Sequence, residues 1–181
     1  AAEKLFTAAN SLAGHQDTKF SVVRYGNVIN SRGSVIPFFK KLLNENSNFL
    51  PITDKNMTRF FLTLDDSVKF VINCFSLMNK GELFVPKMYS LKIEDLAKAL
   101  KPGIKTKLVG IRPGEKIDEL LCSKEENHTI LEFKNHFIIF RDKESLDKYN
   151  KNIKVKKNKG KKVSKDFYYS SLNNFRLLKQ K

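Results

Sequence analysis

Apolar residues recur at helical spacing from Ala1 to Ala13 (Ala1, Ala2, Leu5, Phe6, Ala9, Leu12, Ala13), and Gly14 follows as a stop. The β-branched stretch Phe20–Arg24 predicts a buried strand. Ser34–Asn46 predicts a helix with Ser34 as N-cap, Pro37 tolerated in the first turn, and Phe38, Leu42 and Leu43 facing inward. Arg59–Leu64 predicts a short strand, and Asp65 or Asp66 caps a helix over Ser67–Met78 whose Val68, Val71, Ile72 and Phe75 form an apolar stripe. A strand at Glu82–Val85, a helix at Ile93–Leu100 ended by Pro102–Gly103, and a strand at Lys107–Ile111 come next. Ile117–Leu121 predicts a short helix, and Ile130–Phe133 with His136–Phe140 a small hairpin. Beyond about residue 141 the pattern fades into a charged linker, and aromatic content returns at Phe167–Ser171, a candidate for docking back on the domain. Strands alternating with helices give an α/β fold.

Ala1 already lies on the apolar face of the first helix, with no Ser, Thr, Asp or Asn before it. The pattern therefore reads as a chain that enters a helix midway. Its 181 residues suffice for one core plus a tail. There is no apolar run of membrane-spanning length and no basic-then-apolar leader. Cys74 and Cys122 are far apart, which suggests reduced cytosolic thiols and a cytoplasmic protein. His15, His128 and His136 are scattered, so no metal site is expected.

The net charge of +15 raises a nucleic-acid reading, but its distribution opposes one. Residues 1–140 carry 20 Lys/Arg against 15 Asp/Glu, whereas residues 141–181 carry 14 against 4. The excess sits in the Lys-rich run Lys154–Lys165, which reads more simply as a solvated segment than as an RNA contact. A non-enzymatic basic binding module stays as an alternative.

The chemistry lies elsewhere. In Val22–Ser34 a strand ends in Arg24, Tyr25, Gly26 and Asn27, passes through a polar turn and opens a helix at Ser34. Open α/β sheets bind phosphorylated ligands with that arrangement, and the backbone N–H groups of Ser34 and Val35 at a helix N-terminus add an anion site. Arg24, within a buried strand pattern, is expected to be structural and paired with a carboxylate of the fold. Asn27 either caps its own turn or contacts a ligand, and the ligand is favoured. Arg59, between apolar residues in Met57–Phe61, needs an anionic partner because an unpaired buried cation is costly. In Ile111–Lys116, Pro113–Gly114 makes a tight turn from which Arg112 and Glu115 project, a pairing suited to a diphosphate with vicinal hydroxyls or to a plain surface ion pair. No nucleophile or acid–base constellation is present, so no catalytic residue is assigned within this chain. No G-x-G-x-x-G fingerprint occurs either.

Six ordered segments carry a resemblance: Arg24–Val28, Arg32–Phe39, Pro51–Asp54, Met57–Phe60, Gly81–Lys87 and Ile111–Lys116. Together they resemble the C-terminal half of the extended short-chain dehydrogenase/reductase superfamily. More narrowly, they resemble the inverting UDP-N-acetylglucosamine 4,6-dehydratases of the pseudaminic acid pathway, which supply 4-keto-6-deoxy sugars for flagellin and surface-glycan modification. The similarity covers about residues 1–140, with a weaker match at Phe167–Asn173. It implies the last strands and helices of a Rossmann-type sheet over 1–33, a mainly substrate-binding part over 34–140, a basic linker over 141–166 and a tail over 167–181.

The same resemblance implies NADP as cofactor, taking a hydride from sugar C4 and returning it to C6 after water is eliminated across C5–C6. It places the Tyr-x-x-x-Lys pair immediately before Ala1 and the Gly-rich fingerprint further upstream, so the isolated chain is expected to be inactive. It assigns Asn27, the Val35 backbone, Arg59 and Arg112 to the UDP diphosphate, Pro51, Ile52 and Thr53 to the uracil, and Glu115 to a ribose hydroxyl. Tyr25 and Gly26 fall beside the nicotinamide. Asn30 stands where relatives more often have Gly. UDP-N-acetylglucosamine is the expected ligand and a homo-oligomer the expected full-length assembly, with no nucleic acid and no membrane span in this chain. A nucleotide-sugar epimerase or a retaining dehydratase is the alternative on the same scaffold.

Overall fold

The computed structural model describes residues 2–12, 17–152, 160–174, 177 and 178. The expectations for Ala1, Ala13, Gly14, His15 and residues 154–159 of the Lys-rich run lie outside them. In chain order the elements are α1 (Ala2–Leu12), β1 (Val22–Val23), β2 (Asn27–Val28), α2 (Val35–Asn44), β3 (Phe49–Ile52) and β4 (Thr58–Leu62). Then come α3 (Leu64–Leu77), β5 (Leu83–Pro86), β6 (Tyr89–Lys92), α4 (Ile93–Leu100), β7 (Lys105–Leu108) and β8 (Leu120–Cys122). The last are β9 (Ile130–Glu132), β10 (His136–Ile139), α5 (Lys143–Asn152), β11 (Lys161–Lys162), β12 (Tyr169–Ser170) and β13 (Leu177–Leu178). The expected alternation of strands and helices is present. The chain divides into two compact units, one from Ala1–Tyr25, Val68–Lys87 and Leu121–Tyr168, the other from Gly26–Ser67, Met88–Leu120 and Tyr169–Lys181.

The first unit is built on the sheet β1-β5-β10-β9-β11. β1 runs parallel to β5 with Val22 opposite Leu83, and the other pairings are antiparallel. Backbone bonds from Val22 to Glu82, Arg24 to Phe84 and Gly81 to Phe20 carry the pairing across the whole of residues 20–24. Its core gathers Phe84, Leu131, Ile138, Phe140, Leu146 and Cys74. The Asn10 side-chain amide fastens α1 to β1's lead-in, donating to Phe20 O and accepting from Phe20 N, both at 2.8 Å.

The expectations for α2, for α3 and for the chain after residue 141 need correction: in α2, Ile36 and Phe39 are buried while Phe38, expected to face inward, is 43% exposed. α3 begins one turn earlier than its acidic pair suggests: Thr63 is the cap, its hydroxyl accepting the Asp66 N–H at 3.0 Å and donating to the Asp66 carboxylate at 2.6 Å. The stripe Val68, Ile72 and Phe75 is exposed, and α3 instead packs Phe70, Cys74 and Leu77 against the core. A helix carrying two apolar stripes does not by its period reveal which one is buried. Where the hydrophobic pattern fades after residue 141, the chain forms α5, with Leu146 buried and the Tyr149 ring 4.9 Å from Phe140.

The second unit contains the sheet β13-β6-β4-β2 and the parallel pair β3-β7. β4 is antiparallel to β6 and parallel to β2, with Asn27 opposite Phe61. Its core combines Ile36 and Phe39 of α2, Leu50 and Ile52 of β3, Met57 and Phe61 at β4, and Leu96 and Ala97 of α4. Gly26 is required by packing: a Cβ there would collide with the backbone and Cβ of Phe60. The expected helix at Ile117–Leu121 is instead a bend leading into β8. Tertiary bonds take the backbone groups that a helix would use: Ile117 O accepts from Thr58 N at 2.9 Å, and Lys116 O from the Arg59 guanidinium at 2.6 Å.

Candidate functional site

The turn between β2 and α2 brings its backbone donors to one place. Asn30 sits at φ 62°, in the left-handed region that Gly fills most easily and Asn tolerates, and its Oδ1 accepts from Lys40 Nζ at 3.4 Å. Ser34 occupies the N-cap position in extended conformation (φ −80°, ψ 167°), but its hydroxyl makes no cap bond. Pro37 stands at the third helical position and lacks the N–H that such a hydroxyl usually engages. The N–H groups of Val35 and Ile36 are thereby left as helix-terminal donors with the positive end of the α2 dipole behind them.

A cavity of about 620 Å³ opens over this helix start. Asn27, Val35, Pro51, Ile52, Thr53, Arg59, Arg112 and Glu115 all line it. These are the eight residues singled out in the sequence for a nucleotide-sugar ligand. They come from five separated stretches and share one unit. Gly33, Ser34, Pro37, Phe38, Phe39, Met57 and Ile93 complete much of the wall, adding apolar surface to its polar groups.

The cations are held differently. Arg59 lies on β4 with its side chain only 14% exposed. Its guanidinium donates to Thr58 O (2.7 Å), Ile117 O (3.1 Å) and Lys116 O (2.6 Å), and Nε lies 3.9 Å from Glu119. Glu119 accepts the Phe60 N–H at 2.9 Å, and burial raises its pKa against the opposing pull of that bond and of Arg59. Arg112 rides on a turn closed by Glu115 N to Arg112 O at 3.0 Å, with Pro113 and Gly114 (φ 79°) at the two central positions, the type II pattern. The Glu115 carboxylate accepts the Arg112 N–H at 3.2 Å.

Arg24 lies in the other unit and is spent on the fold: it grips Glu3 through two bonds of 2.9 and 2.6 Å, reaches Glu126 at 3.2 Å, and donates to Leu121 O at 2.6 Å. The Glu3 bond is the chief cause that raises the Arg24 pKa and lowers that of Glu3. Tyr25 is partly exposed, and Gly26 donates its N–H to Met88 Sδ at 3.4 Å.

Two contributors escaped sequence reasoning. Lys41 lines the cavity from the same helical face as Ser34 and Phe38, a spacing the chain does contain. Glu119 supports Arg59 from a segment whose local pattern read as a helix, so nothing in the sequence pointed to it. Among the described residues no group of His, Cys, Asp and Glu is arranged to hold a metal ion. No helix among them is long and apolar enough to cross a membrane. Burial pushes both thiols, Cys74 and Cys122, up to about 12, which makes them poor nucleophiles.

Residues 1–141 match the family model described as polysaccharide biosynthesis protein. Among curated proteins, the UDP-N-acetylglucosamine 4,6-dehydratase (inverting) of Campylobacter jejuni is 50% identical over 96% of this chain and 52% of its own length. The UDP-glucose 4-epimerase of Rickettsia bellii is 41% identical over 80% of this chain and 43% of its own. Among solved structures, Pen from Bacillus thuringiensis superposes with a TM-score of 0.77 at 32% identity, over 96% of this chain and 51% of that one. The chain spans about half the length of the relatives it matches.

Proposed function

The chain belongs to the polysaccharide biosynthesis protein family, and on that premise we propose that it forms the UDP-sugar-binding portion of an inverting UDP-N-acetylglucosamine 4,6-dehydratase. The observation that carries this reading is the convergence of eight residues from five sequence segments on one cavity of about 620 Å³, large enough for a nucleotide sugar. Arg59, Arg112 and the Val35 N–H supply planar and dipolar donors to a diphosphate, and Asn27 adds an amide at its edge. Pro51, Ile52 and Thr53 border the uracil, and Glu115 accepts from a ribose hydroxyl.

The resemblance brings NADP with it, as the group that removes and returns a hydride. Gly26's lack of a side chain is accounted for by Phe60 rather than by a dinucleotide, and hydride chemistry is assigned to no residue of this chain. A cytoplasmic, homo-oligomeric full-length enzyme completes the proposal; the two buried, unpaired cysteines fit a reducing compartment.

Calorimetric titration of the 181-residue chain with UDP tests the binding role: saturable binding is expected, and its absence overturns it. The reaction is tested on a protein that contains this chain together with an upstream Tyr-x-x-x-Lys and Gly-rich segment. Incubation with UDP-N-acetylglucosamine should yield a 4-keto-6-deoxy sugar inverted at C5 by NMR. A sugar changed only at C4 would favour the epimerase reading, which the 41% identity to the Rickettsia protein keeps in view.

A further inference from the structure

Residues 169–174 are not among the residues that line the cavity, yet Tyr169, Ser170, Ser171 and Asn174 are buried, with Tyr169 and Ser171 packed against the strand that carries Arg59. Side chains of a strand alternate between its faces. Met57, just before β4, and Phe61 on it face the apolar core beside α2 and α4, and Arg59 lines the cavity. Thr58 and Phe60 point the other way, and there they meet the tail: the Tyr169 ring lies 4.7 Å from Phe60. Tyr169 Oη accepts the Met88 N–H at 2.8 Å, and the Asn174 amide donates to Met88 O and Ser90 Oγ, both at 3.0 Å.

Ser171 is the centre of this contact. It is 0% exposed, as is Thr58. Its hydroxyl meets Thr58 Oγ1 at 2.8 Å, donates to Thr58 O at 3.1 Å and accepts the Glu119 N–H at 2.9 Å. With Thr58 Oγ1 as donor, the one hydrogen and both lone pairs of Ser171 Oγ are used. Ser171 N also donates to Glu119 O at 2.8 Å. Glu119 in turn accepts from Phe60 N and faces Arg59, while Arg59 holds the carbonyls of Lys116 and Ile117 just after the Arg112–Glu115 turn.

We propose that the tail Tyr169–Asn174 is a brace for the ligand cavity, with Ser171 and Glu119 as positioning residues that fix the spacing between Arg59 on β4 and the Arg112–Glu115 turn; the ligand class, a nucleoside diphosphate, rests on the reading above. Only a hydroxyl at 171 satisfies both β4 and the segment leading to β8. Losing it leaves the half-buried Glu119 N–H and the buried Thr58 Oγ1 without their shared partner. The two arginines then lose the fixed separation that a diphosphate needs.

The test uses hydrogen exchange and titration on the 181-residue chain. Ser171→Ala should speed amide exchange across residues 112–119 at least ten-fold while leaving β10 unchanged. Thr58→Val should act in the same direction, and Thr58→Ser, which keeps the hydroxyl, should behave as the native chain. This pair decides the matter should Ser171→Ala fail to fold. The same variants should weaken UDP about ten-fold and uridine little, because the brace sets the diphosphate grip. Unchanged exchange at 112–119 overturns the brace. Faster exchange with an unchanged UDP-to-uridine preference overturns the positioning role and leaves a purely structural contact. A native chain that binds no UDP defeats the UDP-sugar reading, and the brace then stands or falls on the exchange result alone.

Discussion

The two units use arginine in opposite ways. In the first, Arg24 leaves a strand and is met at once by Glu3, Glu126 and the Leu121 carbonyl. In the second, Arg59 sits between apolar neighbours and is held mainly by carbonyl oxygens, with its nearest carboxylate at 3.9 Å and a cavity in front of it. Carbonyls orient a guanidinium without cancelling its charge, so Arg59 keeps its attraction for an anion. A carboxylate fork spends that charge inside the fold. An arginine at a strand end is therefore not a ligand group by itself; its partner set decides.

Removing each arginine should break this contrast most sharply. Arg59→Ala or Arg112→Ala should weaken UDP by about 10–100-fold, as expected for a charged hydrogen bond to a phosphate, measured by calorimetry. Arg24→Met should leave UDP affinity unchanged but lower stability by about 1–3 kcal/mol in urea unfolding, a range below that of a fully buried pair because these side chains are partly exposed. Equal effects of the two substitutions on UDP would erase the distinction.

A titratable group marks the first unit too. His136 stacks on Phe133 at 4.8 Å, borders Phe70 and Phe84, and has its Nε2 buried with no hydrogen-bond partner among the described residues. Burial, with help from Lys87, pushes its pKa down to about 4 from 6.5. The unfolded chain then takes up a proton near pH 6.5 that the folded chain refuses until about pH 4. Stability should be constant from this source above pH 6.5 and fall as pH drops toward 4, and His136→Phe should flatten that part of the profile. The Glu3–Arg24 pair remains acid-sensitive in the variant, because a carboxylate with a lowered pKa loses its contribution as pH falls. The smallest effect belongs to the exposed stripe of α3. Replacing Ile72 and Phe75, 63% and 71% exposed, with Lys should change stability by no more than about 0.5 kcal/mol each while raising solubility.

Much of the cavity was legible because its residues are chemically marked. Pro113–Gly114 marks a tight turn from local sequence alone, and strand, polar turn and helix start predict where helix-terminal donors will point. α5 was hidden because Leu146 and Tyr149 offer too thin a stripe among ten mostly polar residues. The bend at 117–119 was hidden for a different reason: its backbone groups are claimed by Thr58, Arg59 and Ser171, far away in sequence.

By itself the sequence determined the α/β alternation, the turn at Asn30–Ser34, the structural pairing of Arg24 with a carboxylate of the fold, and the set of polar and planar groups suited to a phosphorylated ligand. Those properties follow from local backbone preference and side-chain chemistry. Only the tertiary structure decided which stripe of α3 is buried, which carboxylates meet Arg24 and which faces Arg59, and that a serine in the tail stands behind the site. Each of these depends on contacts between residues tens of positions apart, where hydrophobic period and residue type leave several pairings open and close packing selects one.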